Sequence, residues 1–239
     1  MILDAHALSR RIAEHWQREI IPRLCDYIAL PALSPAFDPD WAAHGQLDAA
    51  VTLALDWVRQ QPVPGLSAEV VRLPGRTPTL FIEVPGTRPG NVLCYGHLDK
   101  QPPFTGWRAG LGPFTPVIED ERLYGRGGAD DGYSVFSAVS ALAALAELGA
   151  PLPRVTLLIE TSEESGSPDL PAYVGHLVQR IGVPDLVIGL DSGCGDYERL
   201  WVTTSLRGMA TGVLSVQVLR EGVHSGDASG IVPDSFRLA

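Results

Sequence analysis

Cysteine is scarce: Cys25, Cys94 and Cys194 are the only three, and no two of them form a Cys-x-x-Cys pair. An odd, scattered set excludes a disulfide framework and a cysteine-built zinc ribbon, and fits a reducing compartment. Long apolar runs are missing as well. The most apolar helix-like stretch, Val135 to Leu148, is rich in Ala and Ser and falls short of the roughly 20 residues needed to span a bilayer. Arg10, Arg11, Glu14, Arg18 and Glu19 stand where a secretion signal would need an apolar segment, so the expectation is a cytoplasmic protein with no membrane partner. Positive charge is outnumbered, 18 Lys+Arg against 28 Asp+Glu for a net −10, which repels phosphate backbones and argues against a nucleic-acid partner. No Gly-x-Ser-x-Gly elbow is present, which disfavours a serine hydrolase. The glycines at 125–128 are not followed by Gly-Lys-Ser/Thr, which disfavours a P-loop.

What is present suffices for a sizeable core: 239 residues, 45% of them hydrophobic. Residues 7–30 read as helix interrupted at Pro22, and residues 41–61 as a second helix closed by Pro62. Short β-branched runs follow at 68–73, 80–84 and 92–95, with a hairpin around 117–124. A small-residue helix from about 132 to 148 leads to a buried strand at 155–159, and a helix near 170–180 leads to another strand at 186–190. Strands alternating with helices predict an α/β fold with a mostly parallel sheet covered on both faces. Past Arg207 the pattern changes. Met209 to Leu219 alternates like a strand, and Pro233-Asp234-Ser235 reads as a helix start with Asp234 or Ser235 as cap. The expected organisation is a catalytic domain over 1–207 and the beginning of an α+β lid domain over 208–239.

The acids and imidazoles collect where strands end. Val92 to Gly96 runs into His97 and Asp99, residues 157–159 run into Glu160, Glu163 and Glu164, and residues 186–190 end at Asp191, while Asp130 and Asp131 follow a glycine loop ahead of a helix. In an open parallel sheet, such carboxyl ends line one crevice. Crowded carboxylates cannot all stay ionised without a cation. Oxygen plus imidazole donors, with no thiolate among them, suit a catalytic zinc, with manganese or cobalt as substitutes. Residues i and i+2 of an extended chain face one side, so the Asp99 carboxylate can reach the His97 nitrogen that is not on the metal and fix its tautomer. The pair Glu163-Glu164 suggests one metal ligand and one proton acceptor.

Gly96-His97-Leu98-Asp99, Gly125-Arg126-Gly127-Gly128-Ala129-Asp130-Asp131-Gly132, Glu163-Glu164-Ser165-Gly166-Ser167 and the lone Asp191 closely resemble, in order and approximate spacing, the aminoacylase/carnosinase/carboxypeptidase G family of dinuclear zinc peptidases. Asp99-Lys100-Gln101-Pro102, Gly112-Pro113-Phe114 and Thr203 to Gly208 look most like its dipeptidase branch. The resemblance covers about residues 95–234. It implies two zinc ions, with His97 and Asp191 on one, Asp130 bridging both and Glu164 on the second. It also implies Asp99 orienting His97, Glu163 as the general base, and His224 as a substrate-binding residue that, in a homodimer formed through the lid, reaches the neighbouring active site and steadies the oxyanion. The implied substrate is a small peptide, or an N-acyl amino acid in the amidohydrolase alternative. Two departures stand out. Members usually carry a lysine after the paired aspartates, where this chain has Gly132-Tyr133, and the family's last zinc ligand is a histidine in a C-terminal segment that has no match here. A further alternative is therefore a chain without turnover that only binds metal or self-associates.

Overall fold

A computed structural model describes residues 5–239, which separate into two compact units, the first ending at Gly193 and the second running from Cys194 to Ala239. In the first unit the chain begins with α1 (Ala5–His15), passes through a π turn at Trp16–Ile20 and continues as α2 (Ile21–Ile28). Pro22 explains that irregularity. It lacks an N–H to donate back one turn, so the ladder widens just before it and the chain runs on instead of breaking. A short α3 (Trp41–His44) ends at Gly45, whose φ of +67° permits the sharp turn into α4 (Gln46–Val58).

The sheet comprises β1 (Ser67–Val71), β2 (Thr79–Val84), β3 (Asn91–His97), β6 (Arg154–Glu160) and β7 (Leu186–Gly189), in the spatial order β1-β2-β6-β3-β7. A separate hairpin pairs β4 (Val117–Glu119) with β5 (Arg122–Tyr124). The pairs β6–β3 and β3–β7 are parallel; β1–β2 and β2–β6 are antiparallel. The link from β1 to β2 is too short for the crossover that a parallel pair demands, so that side of the sheet turns back on itself. α5 (Tyr133–Glu147) and α6 (Leu170–Ile181) supply the crossovers around the parallel part.

Both faces of the sheet are covered, and alternation along the central strands shows how. Ile82 and Leu157, paired in register, enter the larger core with Leu24, Val51, Trp57 and Phe136 from the helices. Their neighbours Phe81 and Leu158 point the other way and pack on Tyr173, Leu177 and Ile181 of α6. β2 and β6 are therefore buried at nearly every position, whereas β7, at the sheet edge, is exposed throughout.

The second unit contains α7 (Ser225–Ala228) and α8 (Ser235–Leu238). Asp234 caps α8, its carboxylate accepting the Phe236 N–H at 2.8 Å. The strand expected over Met209 to Leu219 does not form; that stretch is non-regular and largely exposed. A lone alternating segment has no ladder partner to satisfy its backbone, and pairing with further strands is what stabilises one.

Candidate metal centre

Three strand ends and one loop meet at the carboxyl edge of the parallel strands. β3 delivers His97, whose Cα is paired with Glu160 on β6; β7 ends two residues before Asp191; a tight turn at Glu163–Ser165 follows β6; and the π turn Gly128–Gly132, with a cis peptide between Asp130 and Asp131, lies ahead of α5. His97 is completely buried, while 49% of the Asp130 side-chain surface and 42% of that of Asp191 stay exposed, so the carboxylates form the open rim of a pocket with the imidazole as its floor.

The tautomer of His97 follows from its neighbours. Nδ1 lies 3.1 Å from the Asp99 carbonyl oxygen and 3.4 Å from an Asp99 carboxylate oxygen, both acceptors, so Nδ1 carries the proton. Nε2 faces carboxylate oxygens: Asp130 Oδ1 at 3.3 Å, Asp191 Oδ2 at 3.8 Å and Glu163 Oε2 at 3.9 Å. It is buried with no hydrogen-bond partner, as is Glu164 Oε1. Potential ligand atoms of His97, Asp130 and Asp191, and those of His97, Glu163 and Glu164, lie within 4.8 Å of one another, and no cysteine belongs to either group among the described residues.

Electrostatics describe the same place. Burial opposes charge on His97, yet Asp130 and Asp99 outweigh it and push the imidazole up to about 11. Asp130 is pulled below the usual range by its contact with His97, against the effect of burial. Burial raises Glu163 and Glu164, and neighbouring acids raise them further. A site that forces a proton onto a buried histidine demands a cation, and a divalent ion meets that demand with the same lone pairs. The donor set fits a metal: one imidazole nitrogen and several carboxylate oxygens, two of these atoms lacking any protein partner.

The supporting shell contains residues that the sequence alone did not single out. The Asp99 carboxylate accepts the backbone N–H groups of Glu163 at 3.2 Å and Glu164 at 3.0 Å, so Asp99 also holds the turn that presents both glutamates. Gln101 donates to Glu164 Oε2 at 2.5 Å. The Tyr133 hydroxyl donates to the Leu190 carbonyl, just ahead of Asp191. Asp131 is fully buried and accepts the His97 N–H at 3.1 Å; burial drives its carboxyl up to about 7. Glu160, grouped with the crevice acids by its position after an apolar run, is corrected by the structure. It is the last residue of β6, 1% exposed, and accepts hydroxyls from Tyr95 at 2.5 Å, Ser167 at 2.8 Å and Ser162 at 2.9 Å. His224 lies in the second unit, exposed, its Nδ1 accepting the Gly226 N–H at 3.1 Å.

Comparison with known proteins agrees with this arrangement. Residues 93–203 match the model of peptidase family M20/M25/M40. The chain is 32% identical over 146 residues to human Beta-Ala-His dipeptidase, an alignment covering 60% of this chain and 29% of that protein. It is 34% identical over 148 residues to a succinyl-diaminopimelate desuccinylase of Gluconacetobacter diazotrophicus, covering 59% of this chain and 34% of that one. Among solved structures, the dipeptidase Dug1p of Saccharomyces cerevisiae superposes with a TM-score of 0.63 at 21% identity, over 98% of this chain and 50% of that one. Human carnosine dipeptidase 1 superposes with a TM-score of 0.60 at 22% identity, over 96% of this chain and 50% of its own. The chain thus spans about a third of the length of the curated relatives and half of these structures. The match to peptidase family M20/M25/M40 lies over the strands and loops that carry His97, Asp130, Glu163, Glu164 and Asp191, so this stretch of the chain is similar to a peptidase M20 domain.

Proposed function

We propose that this chain provides catalytic residues of a metal-dependent peptidase acting on small peptides, a dipeptidase or related exopeptidase. The observation that carries this reading is the buried Nε2 of His97, facing three carboxylates of separate elements within 3.9 Å and making no hydrogen bond. His97 and Asp191 would hold one zinc ion, Asp130 would bridge to a second, and Glu164 would complete the chain's contribution to that second ion. A divalent ion bound there polarises a scissile carbonyl and makes water acidic enough to attack it at neutral pH.

The chain's own groups account for the remaining chemistry. Glu163, raised by burial and by its acidic neighbours, is a stronger base than an ordinary carboxylate, which suits it to accept a proton. It takes a proton from the attacking water as the oxygen–carbon bond forms, then hands it to the leaving nitrogen as the carbon–nitrogen bond breaks. Gln101 and the Asp99 carboxylate keep Glu164 and the turn in place during that exchange. His224 belongs to the same proposal as the group that steadies the oxyanion across a homodimer; its support is its place in Val223-His224-Ser225-Gly226. A cytoplasmic setting is part of the reading.

The similarity to a desuccinylase favours a second reading in which the scissile bond is the amide of an N-acyl amino acid. Metal analysis of the purified chain, followed by a panel of dipeptides and N-acyl amino acids, tests both. Zinc retained on the chain and hydrolysis abolished by Glu163→Gln are expected. A chain that takes up no zinc and cleaves neither class refutes the enzymatic reading and leaves the self-associating alternative.

A further inference from the structure

Lys100 is the only lysine in the sequence; every other side chain counted among its Lys+Arg is arginine. It is also completely buried. Its Nζ donates to the carbonyl oxygens of Leu30 at 2.7 Å, Tyr27 at 2.8 Å and Ile28 at 3.2 Å, three acceptors for three N–H bonds. These carbonyls belong to the end of α2 and the residues just past it, where a helix leaves acceptors unpaired and its dipole is negative. The ammonium also lies 4.1 Å from the Tyr27 ring centroid and 5.5 Å from that of Phe114. A compact ammonium can serve three carbonyls converging on a point, which a planar guanidinium cannot, and this accounts for the exception to the chain's use of arginine.

The same residue is linked, directly or through one neighbour, to the loop of Asp130 and the turn of Glu163 and Glu164, and follows His97 along the chain. Its stem fills the space under the glycine loop ahead of Asp130: a Cβ on Gly127 would sit 2.7 Å from Lys100 Cε and 2.9 Å from both Cδ and Cγ. Its carbonyl accepts the Ser34 N–H at 3.0 Å, and Ser34 Oγ lies 2.5 Å from Ser165 Oγ, in the turn of Glu163 and Glu164. Along the chain it lies between Asp99 and Gln101, the two side chains that hold that turn. Burying a charge here is costly: burial, reinforced by the field of Arg126, draws the ammonium down to about 7.

We propose that Lys100 is a positioning residue of the metal centre, its ammonium tying the end of α2 to the loop before Asp130 and to the strand end of His97. The proposal rests on the metal-site reading above. Its test uses the full chain and zinc alone as probe, with Kd read by competition against a chromophoric chelator and melting followed by circular dichroism in EDTA. Lys100→Met keeps the stem and removes the charge; Lys100→Gln keeps two N–H donors on a shorter stem. Both are expected to fold, with zinc affinity at least about tenfold weaker in Lys100→Met, the loss typical when a group supporting a ligand is removed, and an intermediate value in Lys100→Gln. Wild-type affinity in folded Lys100→Met overturns the proposal while leaving the metal site intact. Unfolding of both variants also overturns it, in favour of a purely structural lysine. A wild-type chain that binds no zinc overturns the metal-site reading itself.

Discussion

Replacing Asp99 by Asn separates two roles that the geometry assigns to one side chain. The carboxylate accepts the N–H groups of Glu163 and Glu164 from inside the protein, at 0% exposure, while His97 Nδ1 finds a closer acceptor in the Asp99 backbone carbonyl, 3.1 Å against 3.4 Å for the carboxylate. Asparagine leaves the backbone carbonyl in place, so the imidazole keeps its tautomer. It offers only one oxygen to two N–H donors, and its amide nitrogen must face the other. Losing one charge-assisted hydrogen bond and stranding a donor costs about 2 kcal/mol. In a unit of this size that lowers Tm by about 4–8 °C, at roughly 2–4 °C per kcal/mol. The released turn should also weaken zinc binding by about tenfold or more. Thermal unfolding in EDTA and a zinc titration read the two effects independently. A variant that melts with the wild type and binds zinc as tightly would show that Asp99 does not hold the glutamate turn, and the reasoning would fail.

Gly132→Ala should destabilise by about 3 kcal/mol through overpacking, because the new Cβ would lie 2.2 Å from Tyr27 Cε1 and 2.7 Å from the Gly127 carbonyl oxygen; urea unfolding of the single and combined Tyr27→Leu variants should reveal coupling between the two positions. Tyr133→Phe removes the donor to the Leu190 carbonyl and should weaken zinc binding through Asp191 with little change in fold, a result checked by titration beside circular dichroism. His15 is held below its ordinary 6.5 by burial and then by Arg11. As pH falls through 6.5 the unfolded chain takes the proton first, so metal-free stability should decline below that point, and His15→Gln should flatten this part of the pH curve.

Much of the site was legible in the sequence because its signals are local. An apolar run ending in His-x-Asp, in paired glutamates or in a lone aspartate places each group just past a strand, and the strand periodicity of residues 92–97, 155–160 and 186–189 carries that placement directly. What could not be read locally depends on partners far along the chain. Gln101 meets Glu164, Tyr133 meets Leu190, and Lys100 meets the end of α2, contacts that exist only once β3, β6 and α2 are assembled. Glu160 shows the limit most plainly: its position after Ile159 resembles that of a crevice acid, but it remains within β6, buried among three hydroxyl donors, whereas Glu163 lies in the turn beyond the strand. The antiparallel half of the sheet was obscured for a similar reason. The residues between β1 and β2 indicate a turn, but not that β6 inserts between β2 and β3. The alternating stretch 209–219 carries strand chemistry without a partner, so periodicity there overstated the local order.

The buried acids sort into two kinds by what faces them. Asp99 and Glu160 accept protein donors at both carboxylate oxygens: two backbone N–H groups and three hydroxyls respectively. They are parts of the scaffold. Glu164 differs, because Gln101 satisfies Oε2 and nothing satisfies Oε1, and burial and Asp130 raise its carboxyl. An acid raised on folding binds its proton more tightly in the native state. Stability is therefore lost as pH climbs through the unfolded value toward the folded one, a penalty that the metal-free protein carries once the carboxyl ionises. Neutralising Glu164 should remove it. Glu164→Gln is thus expected to melt at or above the wild-type temperature in EDTA while losing zinc affinity, whereas Asp99→Asn loses both. If Glu164→Gln instead destabilises the metal-free protein as Asp99→Asn does, Glu164 is a scaffold acid like Glu160, and its assignment as a metal ligand is refuted.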